Sequence, residues 1–156
     1  MLGKRDKSKY GDFSLEGLMK LVSVEASKLN CEVEFFQSNI EGEIINKING
    51  LDESYDGIII NPGGLTHTSV SLHDSLEIKN CPKIEVHISN IYSRVEFRQQ
   101  SIISHACASS IIGMGSIAFC LLPSAFCLLP SAFCLLPCAF CLLPSAFCLL
   151  PSAWCL

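Results

Sequence analysis

The sequence has no charged side chain after Arg98. All 11 basic and 15 acidic residues of its 156 positions precede Gln99. With a formal net charge of −4 and no sustained basic face, it carries no electrostatic footprint for nucleic acid or an acidic membrane surface. Histidine is scarce, and the four present (His67, His73, His87 and His105) do not stand at metal-ligand spacing. No signal peptide is evident, so a secreted disulfide scaffold is not indicated despite 10 cysteines. Disorder is excluded by an apolar fraction of 49%.

The uncharged end explains the averages. From Phe119 the sequence reads FCLLPSA, FCLLPSA, FCLLPCA, FCLLPSA, FCLLPSA, WCL. This tandem heptad holds seven of the cysteines and five of the prolines, and it must be set aside before composition is interpreted. Its apolar length would span a bilayer. However, a proline every seventh residue costs ~3 kcal/mol each in a helix interior. No Lys or Arg flanks the segment to orient it. Cys134 and Cys138 have no His or carboxylate nearby to complete a metal site. The regular prolines also argue against a coiled coil. Two units are therefore expected, a domain over 1–118 and a low-complexity tail over 119–156. The tail is expected to have no biochemical role, with membrane association the competing reading.

Residues 1–118 alternate between helical and strand periods. Ser14 can cap a helix whose Leu15, Leu18, Met19, Val22, Ala26 and Leu29 share a face. CEVEFFQ (31–37) alternates and reads as a strand. Residues 41–49 form a short helix with Ile44, Ile45 and Ile48 inward, and GIIIN (57–61) a buried parallel strand. Pro62-Gly63-Gly64 breaks it; a helix over 69–78, a strand over 83–89 and another over 106–112 follow. This alternation implies a parallel sheet covered on both faces, with ligands bound beyond the carboxyl ends of the strands. Polar residues collect at those ends: Gln37-Ser38-Asn39, Asn61 through Thr68, and His87-Ile88-Ser89-Asn90.

Several of these groups could carry chemistry. Glu85 and His87 are two apart on a strand and face the same way, which suits a general acid or a half-buried pair that only supports the sheet. His67 is a ligand donor or a loop residue. Arg94 and Arg98, four apart, clamp an anion or form a solvated helix face. Tyr10 lies among Lys4, Arg5, Lys7 and Lys9, whose charge would favour a phenolate base, or which form only a solvated basic segment.

Four segments together resemble type II 3-dehydroquinate dehydratase: LGKRDKSKYG (2–11), EFFQSNIEGEIINKI (34–48), DGIIINPGGLTHTSVSLHDSL (56–76) and KIEVHISNIYSRVEFRQQSIIS (83–104). GMGS (113–116) is similar to the start of that family's last helix, and Val95 stands where an acidic residue is usual. The resemblance implies a flavodoxin-like, three-layer α/β fold with a parallel sheet, its first (central) strand and last helix missing or replaced. With the asparagine loop after that first strand also absent, poor folding and little activity are expected. The implied reaction is the reversible, cofactor-free, anti dehydration of 3-dehydroquinate to 3-dehydroshikimate in the cytoplasm. Tyr10 would be the base, with Arg5 and Arg94 stabilising its phenolate. His87 would be the acid, oriented by Glu85. Asn61 and the Ile88–Ser89 backbone would hold the substrate carboxylate, and His67 and Arg98 its hydroxyls. Asp74 would reach a neighbouring subunit in a dodecamer of trimers. No metal, cofactor or nucleic acid is implied.

Overall fold

The computed structural model describes residues 14–119 and Pro123. Three parallel strands form the sheet: β1 (Ile58–Ile60), β2 (Lys83–His87) and β3 (Ser109–Ile112), in the order β1-β2-β3. Helices α1 (Leu15–Lys28), α2 (Glu41–Asn49) and α3 (Val70–Glu77) accompany it. The caps follow the sequence closely. The Ser14 hydroxyl accepts the Gly17 amide at 3.1 Å, and the Ser69 hydroxyl accepts the Leu72 amide at 2.9 Å. Ser69 also donates to Glu41, which ties the start of α3 to the start of α2. At the other end, the Lys79 ammonium donates to the Asn49 and Leu51 carbonyls and neutralises the negative end of α2.

The strand period sorts the sheet into two chemically different faces. Ile58 and Ile60 pack with Ile48 of α2, Leu72 and Leu76 of α3, Ile103 and Ala106. On the opposite face, Ile84 and Val86 pack with Ala118, and Ile59, Ile111 and Phe119 lie against them. Residues 117–119 are already helical, so the first residue of the heptad repeat contributes to this apolar layer. Because β2 is the middle strand, its alternate residues are buried on both faces. Ile84 and Val86 meet an apolar layer, whereas Glu85 and His87 point to the α3 side.

Two sequence expectations differ from what is found. Over 31–37, Cys31, Val33 and Phe35 are half-buried while Glu32, Glu34 and Phe36 are exposed, so the two-residue period is real. Yet the segment joins no ladder among the described residues. Alternation records an extended chain, whereas a strand also needs a hydrogen-bonded neighbour. It is fastened instead by side chains: Glu34 accepts from Lys47 of α2 at 2.5 Å and from the Tyr55 hydroxyl. Arg94 and Arg98 do not share a helix face. They close two separate 3-10 turns, Ile91–Ser93 and Glu96–Arg98, with extended backbone at Arg94 and Val95 between them.

Beyond β3 the chain turns back through Gly113, whose φ is +81°. Its amide donates to the His87 carbonyl at 2.9 Å, and that of Gly115 to the Ile88 carbonyl at 3.0 Å. A Cβ at Gly113 would lie 3.3 Å from Asn90 Cβ and would be strained by the positive φ. Gly113→Ala is therefore expected to lower stability by ~1–3 kcal/mol. Gly64→Ala, with open space around its Cβ, leaves the denaturation midpoint nearly in place. Equal midpoints for the two variants would contradict this.

Candidate active site

Glu85 has no exposed surface and His87 only 2%, which makes them the most deeply buried ionisable pair described. Burying a carboxylate is unfavourable unless its oxygens are satisfied. Here the surroundings are donors. The His87 ring donates from Nε2 to Glu85 Oε1 at 2.7 Å. The Thr66 hydroxyl donates to the same oxygen. The Ser101 hydroxyl lies 2.9 Å from both Oε1 and Oε2, and the Ser110 hydroxyl 3.2 Å from Oε2. Burial pushes the Glu85 carboxyl upward, but the hydrogen bonds from His87, Thr66 and Ser101 outweigh it and hold the group below its ordinary value.

These donors arrive from four parts of the chain. Parallel register sets Ser110 of β3 opposite Glu85 of β2. Thr66 lies in the 3-10 turn Gly63–His67, which breaks away from β1 after Asn61-Pro62. Ser101 is brought beside Thr66 by two bonds between their loops. The Ile102 amide donates to the Thr66 carbonyl at 2.8 Å, and His67 Nδ1 donates to the Gln100 carbonyl at 2.6 Å. That second bond leaves His67 Nε2 buried and without a protein partner, as an acceptor suited to a hydroxyl.

The rim holds further expected residues. The Arg94 guanidinium donates to the Ser89 hydroxyl at 2.6 Å, which places it at the carboxyl end of β2, and Gln99 donates to its carbonyl at 2.6 Å. Asn61 Oδ1 accepts the Gly63 amide at 3.2 Å. Ile88 is buried and Ser89 half-buried directly after His87, and Arg98 is half-buried. Asp74 is set apart: it is exposed on α3 and meets His73 Nδ1 at 3.1 Å. His73, Asp74 and Glu77 bring their ligand atoms within 4.8 Å, but two of the three are exposed. Tyr10 and Arg5 lie outside the described residues.

Sequence reasoning missed the three hydroxyl donors. Ser110 could have been found from strand register. Thr66 was visible only as a polar loop residue, and nothing in the sequence sets Ser101 beside either.

Chemically, the cluster is a buried acid–base pair. With Nε2–H committed to the carboxylate, Nδ1 is the ring position that can accept and deliver a second proton. Close in sequence, after the ends of β1 and β2, stand guanidinium, amide and backbone groups suited to an oxygen-rich anion. The fold and site thus define a parallel-sheet α/β protein with a buried carboxylate–imidazole pair at the carboxyl end of its middle strand.

Comparison with known proteins gives the family. A family model described as dehydroquinase class II matches residues 1–126, and the chain belongs to that family. A 3-dehydroquinate dehydratase of Thermotoga petrophila is 50% identical over 121 residues, covering 78% of this chain and 83% of the relative. One of Caldicellulosiruptor bescii is 53% identical over 116 residues, covering 74% and 80%. Among solved structures, the type II dehydroquinase of Butyrivibrio crossotus superposes with a TM-score of 0.75 at 39% identity, covering 80% of this chain and 88% of that one. That of Propionibacterium acnes gives 0.76 at 31%, covering 80% and 86%.

The carboxylate makes a pH prediction. Because the Glu85 carboxyl is depressed in the fold, its contribution to stability is present above the ordinary value of 4.5 and is lost as pH falls through the lower folded value. Glu85→Gln is expected to lose ~1–3 kcal/mol at neutral pH, because the amide presents donors to donors. Denaturant unfolding of both proteins checks this: the gap narrows as pH falls below 4.5. A gap that stays constant with pH would contradict it.

Proposed function

We propose that this chain catalyses the reversible dehydration of 3-dehydroquinate to 3-dehydroshikimate, a hydro-lyase step of the shikimate pathway. The observation that carries this reading is the buried Glu85–His87 pair at the carboxyl end of β2, 2.7 Å apart, in a chain of the dehydroquinase class II family. An acid held at one strand end, beneath anion-binding groups, is what elimination from a hydroxylated carboxylate requires.

In this reading Tyr10, as phenolate, takes the proton from C2 of the substrate, with Arg5 and Arg94 stabilising the phenolate. The C–H electron pair passes into the enolate. On its return, C1=C2 forms as the C1–O bond breaks, and His87 gives its proton to the departing oxygen, which leaves as water. Glu85 holds His87 in one tautomer. Asn61 and the Ile88–Ser89 backbone take the substrate carboxylate. The free Nε2 of His67 and the Arg98 guanidinium take hydroxyls. Asp74, exposed on α3, fits a role at a neighbouring subunit's site in a dodecamer of trimers. No cofactor takes part in this scheme. The FCLLPSA repeat stands outside the chemistry, and the enzyme works in the cytoplasm.

The rise in 3-dehydroshikimate absorbance tests the assignment. Tyr10→Phe and His87→Ala are each expected to reduce kcat by at least ~100-fold. The comparison is made in the 156-residue chain. Absence of turnover in the parent chain, or a Tyr10→Phe protein as active as its parent, would overturn the reading.

A further inference from the structure

Glu85 is held by three hydroxyl groups in addition to His87. The Ser101 Oγ accepts the Ser104 amide at 2.9 Å, which anchors the hydroxyl oxygen to the 101–104 turn. It donates to the carboxylate, whose two oxygens are equidistant at 2.9 Å. Thr66 Oγ1 lies 2.8 Å from the same Oγ and donates to Glu85 Oε1. Ser110 supplies a third hydroxyl from the neighbouring strand at 3.2 Å.

The other ionisable groups around this carboxylate do not take over that task. Lys83, on the same strand, donates its ammonium to the Lys79 carbonyl at 2.6 Å. Cys107, after the turn Ile103–Ala106, has its thiol pushed up to about 11 by burial and then by the Glu85 charge, so it stays neutral. His67, beside Thr66, gives Nδ1 to the Gln100 carbonyl. Apart from His87, the contacts that favour the ionised carboxylate are hydroxyl donors.

We propose that Ser101, assisted by Thr66 and Ser110, is the positioning residue of the acid: its hydroxyl keeps Glu85 ionised and oriented, and through Glu85 fixes the proton on His87 Nε2. This rests on reading Glu85–His87 as the acid pair. The three hydroxyls bond to Glu85 and act on His87 through it. They replace the water that a buried carboxylate would otherwise require, and because they are anchored on separate segments they do not reorganise when the proton moves.

The test uses the full chain labelled with 15N-histidine, as parent, Ser101→Ala, Ser101→Thr and Glu85→Gln. Two readouts are followed as pH falls: the ring Nε2–H resonance of His87, and kcat of dehydration. In Ser101→Ala the resonance should be lost about one pH unit higher than in the parent, a ~tenfold easier protonation of Glu85. The acid limb of kcat should move with it while KM changes less than about twofold. Ser101→Thr, which keeps the hydroxyl, should restore both. The resonance alone decides the matter if turnover is too slow to follow. If Ser101→Ala fails to fold, Thr66→Val and Ser110→Ala each remove one donor and should move the resonance in the same direction. An unmoved resonance in the folded variants, or a pH-independent loss that Ser101→Thr shares, would overturn the proposal. A Glu85→Gln protein with parental kcat would instead show that the acid-pair reading itself is wrong.

Discussion

Glu85 is a charge with no access to water, and the local structure is arranged around that fact. A buried carboxylate without partners is costly enough that the chain must surround it with donors or protonate it. The donors come from β2 itself, from β3, from the turn after β1, and from the loop after Arg98. No single segment could supply them. The requirement therefore couples strand register, the Gly63–His67 turn and the 100–104 loop into one unit. Loss of any of them leaves the carboxylate short of a hydrogen bond.

The same constraint explains how a packed sheet comes to hold a polar pair in its interior. β2 is apolar at Ile84 and Val86, where it meets the layer containing Ala118, and polar at Glu85 and His87 on the other side. The burial that makes Glu85 unfavourable in isolation also screens its bond to His87 from solvent and strengthens it. The glycine-rich return after β3 completes the arrangement. By binding the carbonyls of His87 and Ile88, Gly113 and Gly115 fix where β2 ends, and so where Ile88 and Ser89 begin the rim.

Most of the scaffold was legible from residues alone. The helices announced themselves through apolar spacing and the capping serines Ser14 and Ser69, and β1 and β2 through their β-branched runs. Glu85 and His87 could be paired from their spacing, because side chains two apart on a strand must share a face. What could not be read was non-local. Residues 31–37 carry a strand's pattern, but pairing depends on a neighbour that the pattern does not contain. The Arg94–Arg98 spacing suggested one helical face, yet the Val95 backbone is extended, and two short turns replace the helix. Ser101 is unremarkable in sequence and decisive in space. The loop-to-loop bonds that bring it to Glu85 involve backbone carbonyls, and these leave no trace in residue identity.

The donor cluster requires Glu85 to be ionised in the folded protein. Its side-chain carboxyl carbon can be followed directly by 13C NMR across an acid titration of the native chain. A transition below the ordinary glutamate value of 4.5 is expected. A transition above that value, with the carboxyl neutral where the fold is most stable, would contradict it.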